Sequence, residues 1–222
     1  MRTAEVLSAD NSGWLVLKGW IDSATHKVEV LPVDTKLAGE ALYQTQVTSH
    51  SIMGAVIYNT GGILIDGGWI RILGSGGTKL NRSLPGWNKG KTFAEYGERP
   101  GFLLVADDVL GGFFAINGGA LGNDPGQLYY LAPEKLEWED LKMGYSDFKN
   151  FCFNGNLNKF YEMQRWSGWK NDIANLSGNQ GFLFYPYLWT VEGKDISKTR
   201  RSVVPIEELY LAKSNVIKQF SH

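Results

Sequence analysis

The chain has 222 residues, 22 basic and 23 acidic side chains, a net charge of −1, and 43% hydrophobic and 13% aromatic residues. That much apolar surface excludes a disordered chain, because burying it offsets the entropy lost on ordering. A lone Cys152 excludes a disulfide framework, and three scattered His leave too few ligands for an ordinary zinc site, so neither metal nor cofactor is expected.

The first residues carry one basic group and no long apolar run, so no signal segment is expected, and Gly, Asp or Lys interrupts every later run. A cytoplasmic protein without a membrane span is the expectation. After Ser12, the spacing of Leu17, Trp20, Ile21 and Ala24 predicts an amphipathic helix. KVEVLP alternates like a strand and stops at Pro32, and Asp34 is placed to cap a helix through Leu37, Ala41 and Leu42. SHSIMGAVIYNT reads either as a helix capped by Ser49 or Ser51 or as a strand, and Gly61 and Gly62 end it.

GGILIDGGWIRILGSGG then reads as two strands joined by a tight hairpin at Asp66, Gly67 and Gly68. The Gly-rich and Pro-rich stretch GTKLNRSLPGWNKGKTFAEYGERPG reads as a long surface loop. FLLVADD, GFFAI and QLYYLAP, separated by Gly and Asn clusters, argue for an antiparallel meander. Helices return at Ser146, with Phe148, Phe151 and Cys152 on one face, and again from Leu157; Gly168 to Leu176 adds a further turn or two. GFLFYPYLWT is a strand that Pro186 places at an edge or a bulge, and Pro205 opens a last helix with Ile206, Leu209 and Tyr210 on one face. The sum is an α+β protein, with a largely antiparallel sheet of about five to seven strands flanked by helices at both ends.

Charge clusters along the chain. Residues 71–100 carry six basic and two acidic groups, and residues 101–164 carry four and nine. A basic loop at Lys79, Arg82, Lys89, Lys91 and Arg99 could face an acidic partner, and the acidic block at Glu134, Glu137, Glu139 and Asp140 a basic one; solvated loops clustering by sign are the plainer reading. Nucleic acid is not expected of a chain with a pI near 6.3.

Motifs for chemistry are sparse. GWNKGKT at Gly86–Thr92 resembles the end of a phosphate-binding loop, but Pro85 stands where its first Gly is required and no strand precedes it. GSGG at Gly74–Gly77 lacks the rest of a dinucleotide fingerprint. Asp107 and Asp108 are neighbours in a strand and so point to opposite faces, which leaves at most one for any site; a turn cap explains Asp108 without chemistry. Cys152 reads as a buried thiol, and His26, His50 and His222 have no patterned partner. Trp14, Trp20 and Trp138 are expected to pack inward. Trp69, Trp87, Trp166 and Trp169 fall in or beside loops, where they lid the core, anchor a partner or stack on a ring.

The runs GGILIDGGWIRILGSGG, FLLVADDVLGGFFAINGG, GQLYYLAPEKLEWEDLKMGYSDFKNFC and FYEMQRWSGWK resemble the bacterial DUF2625 family across nearly the whole chain, a resemblance that implies no particular activity. More distantly, the order of elements over Ile52–Tyr161 is similar to the SUKH superfamily. That likeness implies a non-enzymatic α+β module, many of its members being immunity proteins that bind toxins. The chain is then one domain over 1–222, with a SUKH-like core at about 50–165. The expected function is capture of a protein partner, a toxin if the immunity likeness holds, with Trp69, Arg71, Trp87, Arg165, Trp166 and Trp169 as contacts. The alternatives are a small-ligand binder or enzyme using Asp107, Asp108, Tyr129, Tyr130 and Glu162, and a structural subunit of a homo-oligomer.

Overall fold

A computed structural model of the chain describes residues 1–220. Four helices and a short strand open it: α1 (Ala4–Ser8), α2 (Ser12–Asp22), β1 (Val28–Val30), α3 (Thr35–Thr45) and α4 (Ile52–Asn59). Local chemistry sets the helix starts. The Asp34 carboxylate accepts from the Lys36 and Leu37 amides at 2.9 and 3.1 Å, and the Ser51 hydroxyl accepts from the Gly54 amide at 3.0 Å. The helical reading of residues 52–59 therefore wins over the strand, and α2 and α3 both pack on α4.

The centre is a seven-stranded antiparallel meander in chain order, made of β1 with β2 (Gly62–Ile65), β3 (Ile70–Leu73), β4 (Phe102–Asp108), β5 (Phe113–Asn117), β6 (Gln127–Leu131) and β7 (Glu139–Gly144). Gly67 and Gly68, at φ of 75° and 96°, make the turn between β2 and β3, a conformation glycine adopts without steric cost. β7 is an edge strand with charged and half-buried residues intermixed, so the sequence carried no alternation to announce it. Fully buried Ile63, Ile72, Leu104, Phe113, Phe114, Phe148 and Cys152 belong to the central core, each large apolar side chain contributing about 1.5–3 kcal/mol by burial.

The stretch expected to be a surface loop turns inward instead. Leu80, Leu84, Trp87 and Asn88 are buried, and Leu84–Asn88 form the short helix α5, capped by the Ser83 hydroxyl on the Gly86 amide at 3.1 Å. The physical reason is that β3 pairs with β4 only as far as Ile72 and Ala106, so the Leu104 backbone groups on that side have no strand to bond. The Asn88 side chain accepts from the Leu104 amide and donates to the Leu104 carbonyl, both at 2.8 Å. It thereby stands in for a strand partner that a polar loop outside the core could not supply.

After β7 come α6 (Tyr145–Asn154), α7 (Leu157–Phe160) and α8 (Trp169–Ile173). A separate antiparallel ribbon follows, made of β8 (Gln180–Tyr185) and β9 (Arg200–Pro205), and α9 (Ile206–Phe220) closes the described chain. β8 stops before Pro186. Pro205 ends β9 rather than opening the helix, which starts at Ile206. The Phe182 amide donates to the Val109 carbonyl at 2.7 Å and the Arg71 guanidinium to the Gln180 carbonyl, tying the ribbon to the sheet.

Candidate functional site

Arg71 and Asp107 are direct cross-strand partners on β3 and β4, so their side chains share a face. Both are fully buried, with Arg71 Nε 2.6 Å from one carboxylate oxygen. Arg82 reaches the other oxygen at 2.5 Å and donates to the Gly178 carbonyl at 2.9 Å. Two guanidiniums therefore share one carboxylate inside the protein. Asp108 faces the opposite way, as alternation along a strand requires. Its carboxyl takes the Tyr130 hydroxyl at 2.6 Å, the Tyr161 hydroxyl at 3.1 Å and the amides of Leu110 and Gly112 at 2.9 Å each. Burial pushes the Asp108 carboxyl up from the usual range, and pushes the Tyr130 and Tyr161 phenols up as well. A side chain at Gly112 would collide with the Asp108 carboxyl and the Tyr130 hydroxyl, so this corner admits only glycine.

A second cluster surrounds Trp69, the residue just after the hairpin turn. Its ring lies 5.4 Å from Tyr161, 5.8 Å from Trp166 and 4.8 Å from Trp169. The Arg165 guanidinium sits over Trp169 and Trp69 at 4.3 and 5.0 Å and pairs with Asp66 at 2.5 Å. Trp166 carries the ribbon: it packs edge-on against Phe182 at 5.3 Å, its indole donates to Asp172 at 2.6 Å, and Arg201 lies 4.4 Å above it.

Of the six residues read as contacts, Trp69, Arg71, Trp87 and Trp166 are buried, and Arg165 and Trp169 are half-buried. Five of the six serve internal packing in two groups: Trp69, Arg165, Trp166 and Trp169 form one block and Arg71 belongs to the charged node. Trp87 stands apart against Tyr210, with Arg82 and Lys91 over its ring at 4.5 and 4.1 Å. The five residues of the ligand reading do not converge. Asp108 and Tyr130 meet, Asp107 lies on the other face, and Tyr129 turns to Asp124 at 2.7 Å, a bond that pushes its phenol up to about 12. Glu162 is exposed beside a different hollow, of about 330 Å3, with Glu134, Phe160 and Leu188. The basic loop finds its counter-charges within the chain: Lys79 pairs with Glu29, Arg82 with Asp107, Lys89 with Glu95 and Lys91 with Glu207, while Arg99 has no ion pair among the described residues. His26 bonds the Gly155 carbonyl and His50 meets Asp10 and Ser12; His222 lies outside the described residues. Among the described residues no three His, Cys, Asp or Glu gather as a metal site, and no helix is long and apolar enough to cross a membrane.

Residue patterns missed β9 as well as β7. Phe182 pairs with Val203 and Phe184 with Arg201. Because the Phe182 amide is turned to Val109, Phe182–Val203 is a pair whose backbone groups point away from each other, and Phe184–Arg201, two residues on, is another. The N–H and C=O groups of Arg201 and Val203 thus point outward from the ribbon, and no partner for them occurs among the described residues. Residues 200–203 are exposed, Val203 by 50%. RRSVVP gave no strand signal because neither of its faces is continuously apolar; the only cue was Val203-Val204 before a proline.

The profile of a family described as proteins of unknown function, DUF2625, matches residues 3–209. An uncharacterized protein of Haemophilus influenzae is 46% identical over 213 residues, covering 96% of this chain and 93% of its own. The putative uncharacterized protein YbfG of Escherichia coli is 44% identical over 206 residues, covering 93% and 92%. No solved structure gives a significant match.

Proposed function

Since the chain belongs to the DUF2625 family, whose description carries no activity, we propose its role from geometry: a non-enzymatic module that binds another protein. An extended acidic segment of that partner adds as a third strand on the free edge of β9. The observation that carries this reading is the outward N–H and C=O groups of Arg201 and Val203 beside the exposed Arg200, which together offer main-chain hydrogen bonds and positive charge. Lys198 lies just upstream. A toxin carrying such a segment would be one partner of this kind. In this reading Trp166 supports the ribbon from behind, Trp169 packs on Trp69, and neither touches the partner. A small-ligand site has less support, because Asp107 and Asp108 are enclosed and Tyr129 and Glu162 lie elsewhere.

The test is a titration of the chain with a fluorescent peptide of alternating Thr and Glu at low salt. Saturable binding is expected, weakened at least about tenfold by Arg200→Glu with the melting temperature unchanged. A wild-type chain that ignores the peptide, an Arg200→Glu chain that binds equally well, or a dimer in sedimentation that buries β9 would each overturn the reading.

A further inference from the structure

Between the loop holding Arg82 and Lys91 and the junction of β9 with α9 lies a hollow of about 430 Å3, within the range of small-molecule sites. Its wall is rich in donors. The Arg82 guanidinium has five N–H groups, and its bonds to Asp107, the Gly178 carbonyl and Asn179 Oδ1 use three of them. Asn179 Oδ1 already accepts from Arg82 and from the Asn81 amide, so the Asn179 NH2 group remains a donor, as does the side-chain amide of Asn81. Lys91 adds an ammonium that pairs with Glu207 at 3.0 Å, its one ion pair among the described residues. Glu207 is the sole carboxylate of the wall, and its side chain is 46% exposed. Beneath the wall, Arg71 and Arg82 share the single Asp107 carboxylate, while the Asp108 carboxyl is turned to Tyr130 and Tyr161.

We infer that this hollow binds a small molecule through an oxyanion, a phosphate or a carboxylate group. The anion sits among Arg82, Asn81, Asn179 and Lys91, and the Trp87 ring lines the hollow beside it. Glu207 is then the internal stand-in: its carboxylate holds Lys91 and gives way when the ligand's oxyanion arrives. The Lys91 side chain is only 13% exposed and lies over Trp87, so it stays in place, whereas the half-exposed Glu207 is the mobile partner of the pair. Lys91 was singled out with GWNKGKT as an imperfect phosphate loop. In the structure its ammonium does meet an anionic group, but beside Arg82 rather than in a nucleotide-type loop.

The experiment is an NMR titration of the full chain with inorganic phosphate and, separately, with acetate, at constant ionic strength in chloride. Saturable shifts at Trp87 and Asn179 are expected for at least one ion, and the ion that binds identifies the group. Glu207→Gln should tighten binding about threefold or more by removing the competing carboxylate, whereas Lys91→Gln should weaken it about tenfold. Glu207 lies at the wall's outer side and Lys91 is more enclosed, so a melting curve checks that each variant folds. No saturable shift in the wild type or in Glu207→Gln, or equal affinity in all three chains, would overturn the inference. The β9 reading is unaffected by either outcome, since it is read with a peptide.

Discussion

The central sheet and the C-terminal ribbon treat arginine in opposite ways. In the sheet, Arg71 is enclosed, its Nε on Asp107 at 2.6 Å and one of its terminal nitrogens on the Asp108 carbonyl at 2.8 Å. On the ribbon, Arg201 leans over Trp166 toward Asp172 at 3.5 Å, but Arg200 is exposed with no ion pair among the described residues, along a strand whose outer edge is unpaired. The first arrangement positions strands and a loop; the second leaves both charge and main-chain groups available. What separates them is the partner supplied by the fold. Asp107 stands directly across from Arg71 in the sheet register, whereas β9 has a neighbour on one side only. Identical side chains are structural in one place and open to recognition in the other.

The comparison is broken most severely by removing the shared carboxylate. Asp107→Asn should leave two buried guanidiniums without their counter-charge and cost about 3–5 kcal/mol, seen as a large drop in the urea midpoint. Arg200→Gln should stay within about 0.5 kcal/mol of the wild type. Similar losses for the two variants would erase the distinction.

How far the sequence announced these regions follows from the range of the interactions involved. Asp34, Ser51 and the Gly67-Gly68 turn act on neighbours two or three positions away, so the elements they start or join were legible. The strand and turn placement of Asp107 and Asp108 was legible too, including their opposite faces. The partnership of Asp107 with Arg71 was not, because it depends on β3 lying beside β4 across 36 residues. Arg82 and Asn88 looked like loop residues, since nothing near them reveals that β4 runs on past its pairing with β3. β7 and β9 escaped for a common reason: an edge strand need not alternate, and both carry polar residues on two faces. The tryptophans of the loops were correctly singled out as unusual. Their burial arises from contacts among Trp69, Trp166 and Trp169, which come together only once the chain is folded.

A smaller effect comes from Lys213, on the buried face of α9. Its ammonium donates to the Ala132 carbonyl, and burial holds its pKa down to about 7. In the unfolded chain a lysine titrates near 10.4, so between pH 7 and 10.4 the unfolded state binds more protons and stability rises with pH. Lys149, buried on α6 and lowered for the same reason, acts in the same direction. Cys152, whose thiol burial raises, opposes both above about pH 8.5, where an unfolded thiol ionises. Urea melts of the wild type should therefore gain about 2 kcal/mol from Lys213 between pH 6.5 and 8.5. Lys213→Met should show a flatter rise, retaining only the part due to Lys149. An unchanged slope would mean that Lys213 stays charged in the folded protein and that the interior tolerates its cations differently from the way Arg71 suggests.

The central claim, that β9 presents a free edge able to accept a strand, is tested most directly by hydrogen exchange of four consecutive amides. In the chain alone, Ser202 and Val204, whose amides face β8, should be protected, while Arg201 and Val203 exchange at rates close to those of open backbone. With the acidic peptide bound, Arg201 and Val203 should become protected as well and the other two should change little. Protection of Arg201 and Val203 before any peptide is added, or its absence in a chain saturated with peptide, would contradict the account.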